Sequence, residues 1–472
     1  MEVSNDIERR VTEWQLTKTM MKRRVTVEEL LEPIEVMEDR IRRLTIVIYA
    51  VALSTGIIQF ALYPNFYYFK DVLQEPAAAF IQFKSVSLLP WSLKPIIGYL
   101  EDLFAPFNYK SKSWLIFSCL LCAGTSFGMY FIRPSAFLFT VFNTAINAAV
   151  VINDSMAQGL TVVVLNLKKV HAEAKAVQER RRTSEIRASG EIGVAEGKKV
   201  FGNYNLLRFL TRNIGIFLGG VFAKSMEIVT VYGIIAIFQI VIMVVLIFIK
   251  EERTSHWINK GAGSLWGKMR SFGGSVIQPE IILPLILILL CRATPDLSDA
   301  GTFVLSEEMK WSALELSLNS FMSAVLYFVS MLFLVNLTKN MTFTTKMLLA
   351  SLSSTLFNYS IMRYAFYEYL TFLPMYCMTV MSTFLQNFSL EFFMIALITR
   401  YSTVCPKGME NFGIASVTSL INFASTMGGF LGSAVLSRFN VTSGNYDFLI
   451  YPVTISFGYS CLVLLTTPVL GK

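Results

Sequence analysis

The sequence predicts an all-α polytopic membrane protein. Hydrophobic residues make up 54% of its 472 residues and charged residues only 16%. The apolar residues are gathered in runs of about 20, which is the length that crosses a bilayer as a helix. Lys and Arg are concentrated in some of the connecting loops and scarce in others. These three observations predict a bundle of transmembrane helices rather than a soluble domain.

Twelve apolar runs follow a polar N-terminal segment, residues 1–43. Each is long enough to cross the bilayer as one helix, so the prediction is twelve transmembrane helices. We expect these spans near residues 44–64, 77–101, 113–132, 136–167, 204–223, 229–249, 280–305, 317–337, 342–362, 368–399, 409–437 and 447–469.

The basic residues predict which side of the membrane each loop faces, because short cytosolic loops are enriched in Lys and Arg. The N-terminal segment and the loop 168–203 carry nine each, and the loop after the sixth span carries five. The loops on the opposite side hold single basic residues. We therefore expect both termini in the cytosol and the protein in the plasma membrane. The net charge of +8 follows from these loops and does not indicate a nucleic-acid partner.

A short repeat indicates two related halves. Gly215–Gly220 in the fifth span resembles Gly428–Ser433 in the eleventh, and both contain a G-x-x-x-G spacing, which lets helices approach closely. The equivalent positions predict two six-helix halves, residues 44–249 and 280–472. Residues 250–279 form a cytosolic linker between them.

The seventh span is interrupted at the depth where a charge is most costly. Arg292 lies about 18 Å into this span at the helical rise, near the bilayer midplane. Pro295 favours a kink, and Asp296 and Asp299 follow Arg292 at i+4 and i+7, on one face of a continuous helix. Ionisable residues at this depth suggest a binding site. The alternative is an Arg–Asp pair that only holds helices together.

Polar stripes at helical spacing occur in spans one, four, seven and ten, which predicts one central cavity. In the second span, Lys84 shares a face with Trp91 and is either a ligand-binding group or the partner of a carboxylate. Outside the seventh span, the stripes consist of Thr55 and Gln59, of Asn143, Asn147, Asp154 and Gln158, and of Thr383, Asn387 and Glu391.

The sequence contains no motif of a hydrolase, a metalloenzyme or an ATP-driven pump, so we expect neither an enzyme nor a cofactor nor a metal site. Transport would then be driven by a gradient. The carboxylates available for proton coupling are Asp154, Asp296, Asp299 and Glu391. Permanent structural ion pairs are the competing interpretation of these four.

Three segments carry a resemblance to a known family. They are Leu89–Asp102 with the basic turn Asn108–Lys112, then Ala293–Ala300, and Cys405–Glu410. In these places the chain resembles the folate–biopterin transporter family, a branch of the major facilitator superfamily. It departs from that family in the fourth span, where Gln158 and Val163 replace two of the acids that follow Asp154.

The resemblance implies a major-facilitator fold and a monomeric secondary transporter that moves folate or pteridine compounds by alternating access, with proton symport. A folate carboxylate would bind Arg292 bidentately, Lys84 would add a point charge, and Trp91 would stack on the ring. The polar residues assigned to the same substrate site are Asn147, Asn387 and Gln59.

In the superfamily, loops that follow the second and tenth spans hold the inward gate through ion pairs. By this resemblance, the segment from Lys94 to Asp102 forms one gate, with Lys110, Lys112 or Arg212 as the partner of Asp102. Arg400 and Glu410 are assigned to the other.

Two other functions stay open at the level of the sequence. One is the carriage of a related metabolite such as S-adenosylmethionine, which the family resemblance also covers. The other is a membrane sensor or scaffold that keeps the fold without transporting, as the missing fourth-span acids suggest.

Overall fold

The computed structural model describes residues 34–104, 106–109, 111–178, 183–251, 265–337, 341–404, 410–442 and 444–470. This part of the chain is helical and contains no β-strand, only an isolated bridge between Thr442 and Asn445. The predicted all-α class is confirmed. The helices are α1 (Ile34–Ile58), α2 (Leu62–Tyr67), α3 (Ala77–Ser87), α4 (Leu89–Ser92), α5 (Lys94–Leu103), α6 (Lys112–Ile132), α7 (Ala136–Gln178), α8 (Thr183–Ser225), α9 (Thr230–Phe248), α10 (Leu265–Val276), α11 (Pro279–Arg292), α12 (Ser298–Glu307), α13 (Ala313–Leu337), α14 (Phe343–Ile361), α15 (Phe372–Val404), α16 (Glu410–Arg438) and α17 (Ile450–Leu470).

Seven helical stretches in the described residues are long and apolar enough to cross a membrane. A shorter apolar helix covers Ala313–Val329, in the region of the predicted eighth span. The count of twelve stays a prediction. The seven stretches are Ile34–Val72, Lys112–Ile132, Ala136–Lys175, Asn203–Ser225, Thr230–Phe248, Ala415–Arg438 and Ile450–Leu470.

Three spans are broken, and prolines account for the breaks. A 3₁₀ turn separates α1 from α2, because Pro64 has no N–H to donate to the carbonyl of Phe60. Pro90 and Pro95 lie in the first turns of α4 and α5, where the missing N–H costs nothing. Pro295 lies in the gap between α11 and α12.

The loop expected at residues 168–203 is largely helical. Helix α7 continues to Gln178 and helix α8 already begins at Thr183, so both run well beyond the predicted ends of the fourth and fifth spans. Glycines in this stretch did not end the helix, since each costs only about 1 kcal/mol relative to Ala.

The chain divides into two compact units, residues 1–52 with 157–207, and residues 53–156 with 208–472. In the first unit, His171 Nε2 lies 3.2 Å from the Glu38 carboxylate, and Asn203 donates to the Tyr49 hydroxyl over 3.4 Å. These units do not coincide with the two predicted six-helix halves, whose boundaries stay a prediction.

The repeated glycines pack in equivalent ways within the second unit. A Cβ on Gly219 of α8 would overlap the carbonyl of Phe60, in the 3₁₀ turn that interrupts the first span. A Cβ on Gly432 of α16 would overlap the carbonyl of Asp296, in the gap that interrupts the seventh span. Each glycine therefore allows its helix to lie against the broken part of another span.

The residue that follows each of these glycines lies against the first turn of a further helix, α13 in one case and α3 in the other. A Cβ on Gly220 would lie 2.7 Å from the carbonyl oxygen of Ala313, the first residue of α13. The equivalent Ser433 donates to the carbonyl of Ala78, the second residue of α3, over 2.8 Å. The equivalent positions therefore make similar contacts with other helices, and the two related halves stay a prediction.

Candidate functional site

An ion pair joins α3 and α12. Lys84 Nζ lies 2.9 Å from each carboxylate oxygen of Asp299, and the two side chains are 40% and 17% exposed. Asp299 is in the first turn of α12, where the free N–H groups favour a negative charge. Of the two roles open to Lys84, the structure shows the carboxylate partner.

Aromatic rings cover one side of this pair. Phe80 lies one turn before Lys84 on α3, and Phe303 lies one turn after Asp299 on α12. The ring of Phe66 lies 4.9 Å from that of Phe303 and 5.6 Å from that of Phe80, in edge-on contacts. All three rings are buried, so an apolar cluster packs between the two helices that carry the ion pair.

The gap between α11 and α12 is held by its own polar groups and by α16. Asp296 accepts from the Ser298 N–H over 3.0 Å and from the Ser298 hydroxyl over 2.7 Å. The Asp296 N–H donates to the Gly428 carbonyl over 2.9 Å, and Ser456 donates to the Pro295 carbonyl over 2.8 Å. These bonds satisfy backbone groups that the break would leave unpaired in a membrane.

The common helical face predicted for Arg292, Asp296 and Asp299 does not form. Helix α11 ends at Arg292 and α12 begins at Ser298, because Pro295 interrupts the backbone. Arg292 is half-buried and donates from Nε to the Ser425 hydroxyl over 2.8 Å. Within the described residues it has no ion pair with either aspartate, so the purely structural Arg–Asp pair is not observed.

A second charged cluster joins α5, α7 and α8. Lys94 Nζ lies 2.7 Å from one oxygen of Asp154, and Arg208 pairs with the other oxygen. The Asp154 and Lys94 side chains are 2% and 6% exposed, and that of Arg208 is 32% exposed. Lys94 was assigned to a gate and Asp154 to proton coupling, whereas the structure brings the two together.

Arg208 is not among the residues predicted from the sequence, although the sequence carries a signal for it. Arg208 lies four residues before Arg212 in the predicted fifth span, and an arginine inside a span is a functional candidate by default. Ser425 carried no such signal, because a serine in an apolar helix is ordinary.

The polar residues assigned to the substrate site fall into two groups. Trp91 Nε1 donates to the Asn147 amide oxygen over 3.3 Å, and the Asn147 nitrogen donates to the Asn143 carbonyl over 3.0 Å. Gln59 and Asn387 are half-buried, and the described part of the chain gives neither amide a hydrogen-bond partner. Trp91 and Asn147 are thus adjacent, as a shared site requires.

Lys112, predicted as a gate residue, caps another helix. Its Nζ donates to the carbonyls of Ile247 and Ile249 over 2.6 and 3.1 Å, at the C-terminal end of α9. The Glu251 carboxylate in return accepts from the N–H groups of Ser111 and Lys112 over 2.9 and 2.7 Å, at the start of α6. This reciprocal cap occupies Lys112, and the sequence analysis did not foresee Glu251.

Five predicted residues cannot be placed. Lys110 lies outside the described residues, as do the side chains of Asp102, Glu391, Arg400 and Glu410. In the part that is described, no three His, Cys, Asp or Glu side chains are grouped as a metal site would require.

Similarity to other proteins agrees with this architecture. The sequence matches the family model of the BT1 family over residues 55–171 and 210–471. It is 22% identical to folate transporter 1 of Plasmodium falciparum over 376 residues, which are 78% of this chain and 67% of that protein. It is 20% identical to the folate-biopterin transporter of a Synechocystis species over 418 residues, 86% of this chain and 76% of that protein.

Solved structures establish the fold. The crystal structure of the nucleoside transporter NupG superposes with a TM-score of 0.65 at 11% sequence identity, covering 92% of this chain and 99% of NupG. These relatives are transporters, not enzymes, and the protein is a multi-pass integral membrane protein. The chain belongs to the BT1 family, the folate–biopterin transporter family that its three motifs indicated, and it has the major-facilitator fold.

Proposed function

We propose that this protein is a secondary active transporter of folate- or pteridine-type substrates. The observation that carries the proposal is the set of cationic side chains inside the helix bundle. Lys84 keeps 40% of its side chain exposed while paired with Asp299. Arg292 donates to Ser425, and among the described residues Asp296 acts on it without forming an ion pair. Such groups are costly inside a membrane and fit a carboxylate-bearing ligand. The names of the two curated relatives agree with that class.

The substrate would use both the charged and the flat residues of the site. The guanidinium of Arg292 offers a bidentate contact to a carboxylate. Trp91 and Asn147, which are hydrogen-bonded to each other, offer a stacking surface and an amide. Gln59 and Asn387 retain amide groups that can bind the polar edge of a pterin ring.

Proton coupling belongs to Asp299 in this proposal. A substrate carboxylate that binds Lys84 displaces Asp299, and the released carboxylate then takes up a proton. Asp296, Arg212 and Tyr63 are the other charged or titratable groups around the pair.

The other predicted coupling residues are less suited to this role. Asp154 is bound by two cations at once, and Asp296 is held by Ser298 and the α16 backbone. Glu391 stays a candidate from the sequence alone.

The transport cycle would be alternating access between the predicted halves, residues 44–249 and 280–472, around this site. We propose a monomer in the plasma membrane with both termini in the cytosol, on the basis of the loop charges.

The test is uptake of labelled folate and biopterin into vesicles that contain the purified protein, with and without an inward proton gradient. We expect saturable uptake that the gradient stimulates and that unlabelled substrate competes away. Matching thermal-shift measurements at two pH values would report binding. Stabilisation by S-adenosylmethionine alone would assign the protein to that substrate, and stabilisation by folate without any flux would make it a sensor.

A further inference from the structure

We propose that Arg212 is a substrate-binding residue that pairs with a carboxylate of the transported molecule. The inference rests on the proposed function and adds a residue to its site. The family resemblance predicts a different role for Arg212, as a gate partner of Asp102. Its position, exposure and neighbouring charges favour a role inside the bundle.

The position of Arg212 on α8 is opposite the apolar surface of that helix. Leu206, Leu210, Ile214 and Leu218 are 37–48% exposed and follow each other at four-residue intervals, as a lipid-facing stripe does. At about 100° per residue, Arg212 lies about 180° from the centre of that stripe. The arginine therefore faces the interior of the bundle, not the lipid.

Arg212 is nevertheless exposed. Its side chain is in the exposed class although protein atoms surround it closely. A side chain that faces the interior and still contacts solvent lies against a space that water enters. A soluble anion can reach it by the same route.

Among the described residues, the charged groups close to Arg212 are cationic. Arg208, one turn earlier on α8, and Lys84 on α3 are its cationic neighbours. Arg208 is paired with Asp154 and Lys84 with Asp299, whereas the described residues offer no carboxylate to Arg212. An arginine in such a setting is strongly stabilised by any anion that pairs with it.

Aromatic side chains complete the surroundings. Tyr327 of α13 is close enough to act on Arg212 electrostatically, and its ring lies 6.0 Å from that of Phe209. Phe209 also stacks on Phe328, with ring centroids 5.7 Å apart. The arginine thus lies beside a flat apolar surface, which fits a carboxylate carried by an aromatic body.

The experiment compares two ligands that differ in charge. Folate has two carboxylates, and biopterin has a pterin ring without a carboxylate. Affinities are measured by thermal shift and by competition for uptake, in the wild type and in Arg212→Gln and Arg212→Lys. Arg133→Gln is the matched control, because Arg133 follows the last residue of α6 and its ion pair with Glu227 is exposed, with 65% and 59% of the two side chains accessible.

We expect Arg212→Gln to weaken folate binding by about 10- to 100-fold, the range for a lost charge-assisted hydrogen bond. Biopterin has no carboxylate to pair with Arg212, so its affinity should change by less than about threefold. Arg212→Lys should recover part of the folate affinity, because it keeps the charge and loses the bidentate geometry. Arg133→Gln should leave both affinities at the wild-type level.

Three results would overturn the assignment. Equal losses for folate and biopterin in Arg212→Gln would give Arg212 a structural role, and unchanged affinities for both ligands would remove it from the site. A full folate affinity in Arg212→Gln with a loss only in Arg212→Lys would indicate packing. If the wild type binds neither folate nor biopterin, the proposed function fails and this inference fails with it.

Discussion

Replacing Asp154 with Asn should destabilise the protein more than any other single change in the Lys94–Asp154–Arg208 cluster. The carboxylate is 2% exposed and accepts from Lys94, which is 6% exposed, and from Arg208, which is 32% exposed. Asp154→Asn removes the anion of a buried ion pair, and breaking such a pair from one side costs about 3–5 kcal/mol. Arg208→Gln removes a partner that is partly solvated, and the expected cost is only about 1 kcal/mol.

The assay is unfolding of the purified protein in detergent, by denaturant titration and by thermal melting. A double variant, Lys94→Met with Asp154→Asn, completes a thermodynamic cycle. Because the two residues are in contact, its cost should be smaller than the sum of the two single changes. A cost below about 1 kcal/mol for Asp154→Asn, or strict additivity in the cycle, would refute a buried ion pair as the main contact of Asp154.

The same variant separates structure from coupling. If Asp154 is a structural anion, the fraction of Asp154→Asn that folds should take up substrate with the wild-type pH dependence. A fully stable variant whose uptake has lost its response to the proton gradient would instead restore Asp154 to the coupling role that the sequence suggested.

The remaining predictions concern the other contacts of the second unit. Asp299→Asn should abolish stimulation of uptake by a proton gradient while exchange of substrate persists, which counterflow measurements would show; full stimulation would exclude Asp299. Gly432→Ala should cost about 1–3 kcal/mol, since its Cβ would overlap the Asp296 carbonyl, whereas Gly458→Ala, with no atom within 4 Å of its Cβ, should not destabilise. Tyr446→Phe should lower stability near neutral pH, because its hydroxyl donates to Glu307 over 2.6 Å. Burial and Glu307 raise the pKa of Tyr446, so this contribution is fully present below the usual tyrosine pKa of about 10 and should be lost only at higher pH, in a comparison of melting against pH.

The helices were predictable because hydropathy over about 20 residues is a strong and local signal. The broken seventh span was also predictable, since Pro295 removes a backbone hydrogen bond and favours a break at that point. The ion pairs of this span could not be predicted, because Arg292, Asp296 and Asp299 share a face only if the helix continues. Once it breaks, the partner of Asp299 is set by α3, which lies 215 residues earlier along the chain.

Contacts between residues that are far apart along the chain were hard to predict elsewhere too. Lys112 and Glu251 cap each other's helices across 139 residues, and nothing local in the sequence indicates that distance. Trp91 and Asn147 could be assigned to one site because each belonged to a polar stripe. Arg208 was overlooked although it carried the same signal as Arg212, one turn away on α8.

The break in the seventh span allows Arg292 and Asp299 to have different partners although they are only seven residues apart. A continuous helix would bring Arg292 and the aspartates onto one face, where they would neutralise each other. The break ends α11 at Arg292 and turns Asp299 toward Lys84, while Gly432 lets α16 lie against the exposed backbone between them. The charges are thereby distributed to partners on other helices. Lys84 and Asp299 belong to different predicted halves, residues 44–249 and 280–472. The proposed alternating access between these halves would therefore act on the Lys84–Asp299 pair, which is where the proposal places proton coupling.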